Sequence, residues 1–152
     1  MSGRRVVVTG MGLVTPLGVG VDAVWGRLLN SESGAGTIKK IDTSDLSVNI
    51  ACEVPLGDSA PEFNADDWIP PKEQRRMDDF IIFGLCAMEQ ALADAGWKPE
   101  DEESRLRTGV LVGSGIGGLP SIEAAAITLH ERGPRRISPF FIPGSLINLL
   151  SG

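Results

Sequence analysis

The spacing of apolar positions predicts alternating strands and helices in the first hundred residues. Residues 5–10 form a β-branched run closed by glycine, which predicts a buried strand. Residues 22–29 carry apolar side chains at helical spacing and predict a short amphipathic helix. Residues 78–95 are apolar on more than one face, which predicts a mostly buried helix ending at Gly96. A weaker strand is predicted within residues 46–54, followed by a surface loop.

The second half of the chain continues this alternation. Residues 108–112 predict a second buried strand, residues 121–130 a helix, and residues 145–150 the start of another apolar helix. Between the last two, residues 133–143 contain three prolines and predict a rigid connector. This order is typical of α/β architecture with a parallel or mixed sheet. Two clear strands are fewer than the about five of an average sheet, so we expect an incomplete part of a larger fold.

Composition narrows the possible functions. The chain has 152 residues, of which 42% are hydrophobic, enough for a core. Its net charge of −6 is opposite to that of a general nucleic-acid binder. No apolar run approaches the about 20 residues of a membrane-spanning helix, and the N-terminus lacks a signal peptide's apolar stretch, so we expect a cytoplasmic protein. Cys52 and Cys86 lack disulfide-framework or metal-ligand spacing and are predicted to be reduced and buried.

Two glycine motifs follow the two predicted strands. The first, residues 9–15, has the Gly-x-Gly turn of a dinucleotide-binding fingerprint, but Thr15-Pro16 stands where the helix would begin. It is therefore interpreted as a structural turn. The second, residues 113–118, lacks the lysine of a phosphate-binding loop. It is either a packing turn or a point of close approach to a ligand, with Ile116 the single large side chain among small ones.

Charged and nucleophilic side chains leave the chemistry open. Lys72, Arg75 and Arg76 would share one face of a helix, as a site for an anionic partner or as a solvated surface. A second basic cluster, with the same two interpretations, consists of Arg132, Arg135 and Arg136. No catalytic cysteine–histidine pair is indicated. Cys86 lies in an apolar helix, and Cys52 lies beside the acidic Glu53; both surroundings disfavour a thiolate. The only histidine, His130, precedes an acidic residue.

Four segments, taken in order, resemble the type II condensing enzymes of fatty-acid synthesis, the beta-ketoacyl-[acyl-carrier-protein] synthases. The resemblance covers all 152 residues, and its segments are RRVVVTGMGLVTPLG, PPKEQRRMDDF, VGSGIGGL and GPRRISPFFIPGSLINLLSG. It implies an α/β, thiolase-like layered fold, of which residues 1–152 would be an incomplete N-terminal half. It also implies a homodimer that condenses acyl and malonyl carrier proteins with release of CO2, without a cofactor or metal. The family's nucleophilic cysteine, in a Thr-Ala-Cys-like motif, and its two histidines and lysine are expected beyond Gly152, so the chain would contain no catalytic residue.

Three features carry over to single positions. Ile116 matches the residue that gates the acyl pocket, and Phe141 matches a phenylalanine that a partner subunit contributes to the pocket floor. The resemblance assigns carrier-protein docking to Lys72, Arg75 and Arg76, and extends it to Arg135 and Arg136 across the dimer. The competing hypothesis is a non-catalytic interaction subunit, similar to a chain-length factor.

Overall fold

The computed structural model describes residues 3–152, which divide into two compact units. Residues 3–64 and Ala87–Gly96 form the first unit, and Ala65–Cys86 with Trp97–Gly152 form the second. Helix α3, Asp79–Ala95, contributes to both. The first unit also contains β1 Val14–Thr15, β2 Gly18–Val19, α1 Val21–Leu29, β3 Ala35–Thr37 and β4 Ile50–Cys52. The second contains α2 Pro71–Gln74, α4 Glu102–Leu106, α5 Leu119–Arg132, α6 Phe141–Ser145 and 3-10 helices at Ala65–Asp67, Pro134–Arg136 and Ile147–Leu150.

The sheets that the structure describes are small and antiparallel. β1 pairs with β2, and β3 pairs with β4 in a register that sets Gly36 opposite Ala51. The predicted strands at residues 5–10 and 108–112 are wrong, because neither segment is hydrogen-bonded into a sheet. Val6 is 90% exposed and Leu111 98% exposed. β-branched sequences favour extended backbone, but a strand forms only where a partner completes its hydrogen bonds. The expected parallel or mixed sheet is therefore absent from residues 3–152.

The helix predictions are confirmed with small changes in their bounds. α1, α3 and α5 cover the three helices predicted from apolar spacing. The apolar segment after residue 145 is a 3-10 helix, and the connector before it contains the start of α6. Burial of α3 is confirmed only for its first part, where Ile81, Ile82 and Cys86 are buried, whereas Met88 is 38% and Leu92 40% exposed. The weak strand is reduced to β4.

The two cysteines differ in their surroundings. Cys86 is buried, as predicted, at 1% exposure within α3. The prediction that Cys52 is buried is wrong, because the residue is exposed on β4. β4 pairs with β3 alone, in a two-stranded sheet whose side chains are mostly exposed. A strand-like apolar pattern therefore does not bury every side chain that belongs to it.

The first glycine motif lies close against α3. A Cβ at Gly10 or Gly12 would overlap the carbonyl oxygens of Ala91 and Ala87 on that helix, so the motif is a packing feature, as interpreted. Asp101 caps α4: the backbone N–H of Ser104 donates to its Oδ1 at 2.7 Å, which holds the pKa of that carboxyl below its ordinary value. Across residues 3–152, no helix combines the length and the apolar character needed to cross a bilayer.

Candidate functional site

A cleft in the second unit brings together part of the predicted site. Its volume is about 260 Å³, and it lies between the turn after α2, one face of α5, the connector and the start of α6. Guanidinium groups, hydroxyl groups and aromatic rings share its wall. The lining residues are Arg75, Arg76, Met77, Ser121, Ala124, Ala125, Thr128, Arg136, Ile137, Ser138, Phe140, Phe141 and Gly144.

The basic turn at one end of the cleft follows from a short, proline-started helix. Pro71 occupies the first position of α2, where its missing N–H costs nothing. The helix ends at Gln74, so Lys72, Arg75 and Arg76 lie on α2 and the turn after it rather than on one continuous helix. Lys72 and Arg75 are exposed. Their cationic groups are therefore available to a partner in solution.

Arg76 is held more closely than its neighbours. It is half-buried, and its Nη1 lies 3.3 Å from Oε2 of Glu73. Its guanidinium carbon also lies 5.0 Å from the centroid of the Phe140 ring, within the range of a cation–π contact. The turn thus links the cationic patch to the aromatic wall of the cleft.

Another part of the cleft wall is the connector, residues 133–143, between α5 and α6. Gly133 adopts a φ of 78°, which lets the chain leave α5 and enter the 3-10 helix Pro134–Arg136. Arg135 and Arg136 are both exposed, and Arg136 lines the cleft. Phe141, half-buried, begins α6, and its carbonyl oxygen accepts a hydrogen bond from the buried hydroxyl of Ser145 at 2.6 Å.

Asp78 stabilises the cleft wall from outside α5. It is 7% exposed, and its Oδ2 accepts hydrogen bonds from the backbone N–H of Ser121 at 3.0 Å and from the Ser121 hydroxyl at 2.5 Å. The N-cap of α5 is Gly118, which has no side chain, and the first turn carries no acidic residue. Asp78 therefore supplies both the cap and the negative charge that this helix end lacks locally. In the sequence, Asp78 is evident only at the start of the helix predicted over residues 78–95, because its partner Ser121 lies 43 residues further on.

The second glycine motif is in part a packing turn. Gly117 has a φ of 78°, and a Cβ there would lie 2.8 Å from the carbonyl oxygen of Ser145. The N–H of Gly118 donates to that same oxygen at 3.0 Å. By contrast, Gly113 and Gly115 face open space. Ile116, between these two pairs, is 69% exposed and does not line the cleft.

The remaining reactive side chains form no catalytic group in the described part of the chain. His130 is exposed on the last turn of α5, Cys86 is buried in α3 and Cys52 belongs to the other unit. Among residues 3–152, no cluster of His, Cys, Asp and Glu could hold a metal ion. The structure thus gathers Arg75, Arg76, Arg136 and Phe141 around one cleft, while Lys72, Arg135 and Ile116 lie outside its lining.

A larger cleft in the first unit contains none of the predicted site residues. It has a volume of about 340 Å³ and lies against β3 and β4. Two lysines and two glutamates lie on its wall, and one carboxylate, that of Glu53, accepts hydrogen bonds from the backbone N–H groups of Lys39 and Lys40 at 2.9 and 3.3 Å. Glu53 thus ties the segment after β3 to the end of β4.

Known structures with the same fold define the class of protein. A beta-ketoacyl synthase from Burkholderia phymatum is 28% identical, with a TM-score of 0.73 over 98% of this chain and 35% of its own. The ishigamide ketosynthase/chain length factor is 26% identical, with a TM-score of 0.74 over 97% of this chain and 35% of its own. The fold is that of the ketosynthases, which confirms the expected α/β, thiolase-like class.

The sequence matches the family model of the beta-ketoacyl synthase N-terminal domain over residues 3–152, and the chain belongs to that family. It is 55% identical to 3-oxoacyl-[acyl-carrier-protein] synthase 2 of Rhizobium meliloti over 98% of the chain and 36% of that relative. It is 43% identical to the enzyme of the same name from Vibrio harveyi, over 100% of the chain and 35% of that relative. The chain therefore spans about a third of the length of these relatives.

Proposed function

We propose that residues 1–152 are the N-terminal part of a beta-ketoacyl-[acyl-carrier-protein] synthase. The complete enzyme would condense acyl and malonyl carrier proteins, release CO2 and form a 3-oxoacyl carrier protein. One observation carries the proposal: a single cleft joins the cations Arg75, Arg76 and Arg136 to the aromatic residue Phe141. The names of the relatives from Rhizobium meliloti and Vibrio harveyi support this reaction.

In this reaction, residues beyond Gly152 would carry out the bond-making and bond-breaking steps. There, a cysteine thiolate would take the acyl group from its carrier, releasing the carrier thiol. Loss of CO2 from the malonyl group would leave an enolate, stabilised by two histidines. The enolate carbon would then attack the acyl thioester, form the new C–C bond and expel the cysteine thiolate. Residues 1–152 would dock the carrier and shape the acyl pocket.

Carrier docking would use the exposed cations. The chain carries a net charge of −6, so the basic residues around the cleft form a local exception to its overall charge. An acidic carrier protein would be attracted to such a patch, and the attraction would weaken as salt screens it. We assign this role to the four exposed cations Lys72, Arg75, Arg135 and Arg136. Arg76, to which the resemblance also assigns docking, is half-buried and paired with Glu73, and is therefore treated separately.

The acyl pocket would use two apolar residues from different subunits. Ile116 would gate the pocket, and Phe141 of one subunit would close the floor of the pocket in its homodimeric partner. The exposure of Ile116 and the open space at Gly113 and Gly115, which precede it, are compatible with a side chain that meets a ligand or another part of the enzyme. We further propose that the enzyme acts in the cytoplasm without a metal or a redox cofactor.

Charge reversal in the complete enzyme tests the docking site. Lys72→Glu with Arg75→Glu should weaken binding of the acyl carrier protein by about tenfold or more at low salt, equivalent to about 1.4 kcal/mol. The loss should shrink at high salt. Arg107→Glu is the matched control, because Arg107 is 80% exposed and lies outside the cleft. Equal carrier affinity for wild type and the double variant at low salt would exclude the patch as a docking site.

A chain-length-factor-like subunit is the second candidate. It is kept because the ishigamide ketosynthase/chain length factor, with a TM-score of 0.74, includes both kinds of subunit in its name. Such a subunit would pair and dock without its own nucleophile. The coding sequence after residue 152 distinguishes the two candidates: a cysteine in a Thr-Ala-Cys-like motif supports the enzyme, and its replacement supports the non-catalytic subunit.

A further inference from the structure

Arg76 differs from the neighbouring cations in what its side chain contacts. It pairs with Glu73 at 3.3 Å and lies over the Phe140 ring at 5.0 Å, whereas Arg75 is exposed. A guanidinium that stacks on a ring and pairs with a carboxylate has lost part of its hydration, and its charge is partly compensated. Arg76 is therefore less suited than Arg75 to pair with an incoming acidic surface.

The backbone of Arg76 also contacts the segment that contains Phe141. A Cβ built on the buried Gly144 would lie 2.9 Å from the carbonyl oxygen of Arg76, so only glycine permits this approach without a shift. The N–H of Gly144 donates to the carbonyl oxygen of Phe140 at 2.8 Å. Phe141 lies in the sequence between these two points of contact. The Arg76 side chain thus contacts the residue before Phe141, and its carbonyl oxygen closely approaches Gly144, three residues after Phe141.

We infer that Arg76 is a positioning residue, which fixes Phe141 by stacking on Phe140 and by packing its carbonyl against Gly144. The inference rests on the proposed function, because that function assigns Phe141 to the acyl pocket. Its consequence is that Arg76 governs which acyl chains the enzyme accepts, while Lys72 and Arg75 govern how tightly the carrier binds. A purely structural residue would lower stability without altering chain-length preference.

The test separates charge from shape in the complete enzyme. Arg76→Lys keeps the charge but removes the planar group that stacks on Phe140. It should change the ratio of kcat/KM for a long-chain to a short-chain acyl carrier protein by about two- to fivefold, the size of an exposed cation–π contact. The KM for the carrier and its dependence on salt should stay as in wild type. Arg107→Lys is the control, and its ratio should equal that of wild type.

A second variant reaches the same contact from the aromatic side. Phe140→Leu should shift the ratio in the same direction as Arg76→Lys, and the double variant should shift it no further, since both substitutions break one interaction. Phe140→Leu also serves as the test if Arg76→Lys lowers the melting temperature enough to prevent assay.

Different results overturn different parts of this scheme. A ratio unchanged from wild type in both single variants of an active enzyme would overturn the positioning role alone. A raised, salt-dependent KM for the carrier in Arg76→Lys, with an unchanged ratio, would make Arg76 a docking cation and overturn the inference too. Absence of condensation by the wild-type complete enzyme would refute the proposed function, and the inference with it.

Discussion

Removal of the Asp78 carboxylate should loosen the N-terminus of α5 and with it one wall of the cleft. Asp78 is 7% exposed and accepts two hydrogen bonds from Ser121, the third residue of α5. The N-cap Gly118 makes no side-chain cap bond. No other acid lies in the first turn of the helix, so the loss of Asp78 would not be compensated locally.

The magnitude follows from the number of contacts that each substitution removes. Ser121→Ala deletes the 2.5 Å hydroxyl bond and keeps the backbone bond, at a cost of about 1.5 kcal/mol for a hydrogen bond to a charged group. Asp78→Ala deletes both bonds and the charge near the helix N-terminus. Its cost should be about 2–4 kcal/mol, toward the lower end because the burial of a carboxylate is relieved at the same time. Asp78→Asn, which keeps one oxygen acceptor, should fall between wild type and Asp78→Ala.

Hydrogen exchange measures this effect locally, which matters in a protein whose global unfolding need not be two-state. In the complete enzyme, amides in the first turns of α5 should exchange about tenfold faster in Ser121→Ala and about 30-fold faster or more in Asp78→Ala. Glu123→Gln is the control, since it removes an exposed charge from the same helix. If exchange in α5 were less than about twofold faster in Asp78→Ala than in wild type, the capping role would be refuted. The expected acceleration, about 30-fold, is an order of magnitude larger.

Two further predictions concern exposed apolar residues. In the complete enzyme, Ile116→Phe should lower kcat/KM for long acyl chains more than for short ones, because a bulkier gate penalises the longer ligand. An equal loss at all chain lengths, or the same profile in the exposed control Ile122→Phe, would count against a gating role. Residues 1–152 expressed alone should associate and lack condensing activity, because Val6 and Leu111 are 90% and 98% exposed on unpaired segments. A monodisperse monomer with a cooperative melt in size-exclusion and thermal experiments would contradict this.

Local periodicity was sufficient to predict the helices, because a helix closes its hydrogen bonds within its own segment. α1 and α3 begin within one residue of the predicted positions, and Gly96, with a φ of 60°, ends α3 as expected. The strands were less predictable, since a strand needs a partner strand, which can be distant in sequence. The capping of α5 by Asp78 was missed for the same reason, as 43 residues separate the two hydrogen-bonded side chains.

In the site, too, features set by neighbouring residues could be predicted, and contacts between distant residues could not. The basic character of residues 72–76 is evident in the sequence, but the different environments of Arg75 and Arg76 depend on Phe140, which lies 64 positions beyond Arg76. No spacing rule could separate these two adjacent arginines. Helical spacing would place both arginines on one face, whereas α2 ends at Gln74 and both belong to the turn that follows.

Some apolar segments that are predicted to be buried are exposed in residues 3–152, and this indicates what a complete enzyme would add. Val6, Leu111 and Ile116 are apolar residues in segments that the pattern predicts to be buried or close to a ligand, and all three are exposed. An apolar β-branched run is costly to expose in a folded protein. The chain spans about a third of its relatives, 35% and 36% of the two compared. We therefore expect the rest of a complete enzyme to pair with residues 5–10 and 108–112, and so to place the loop that bears Ile116 at the end of a completed strand.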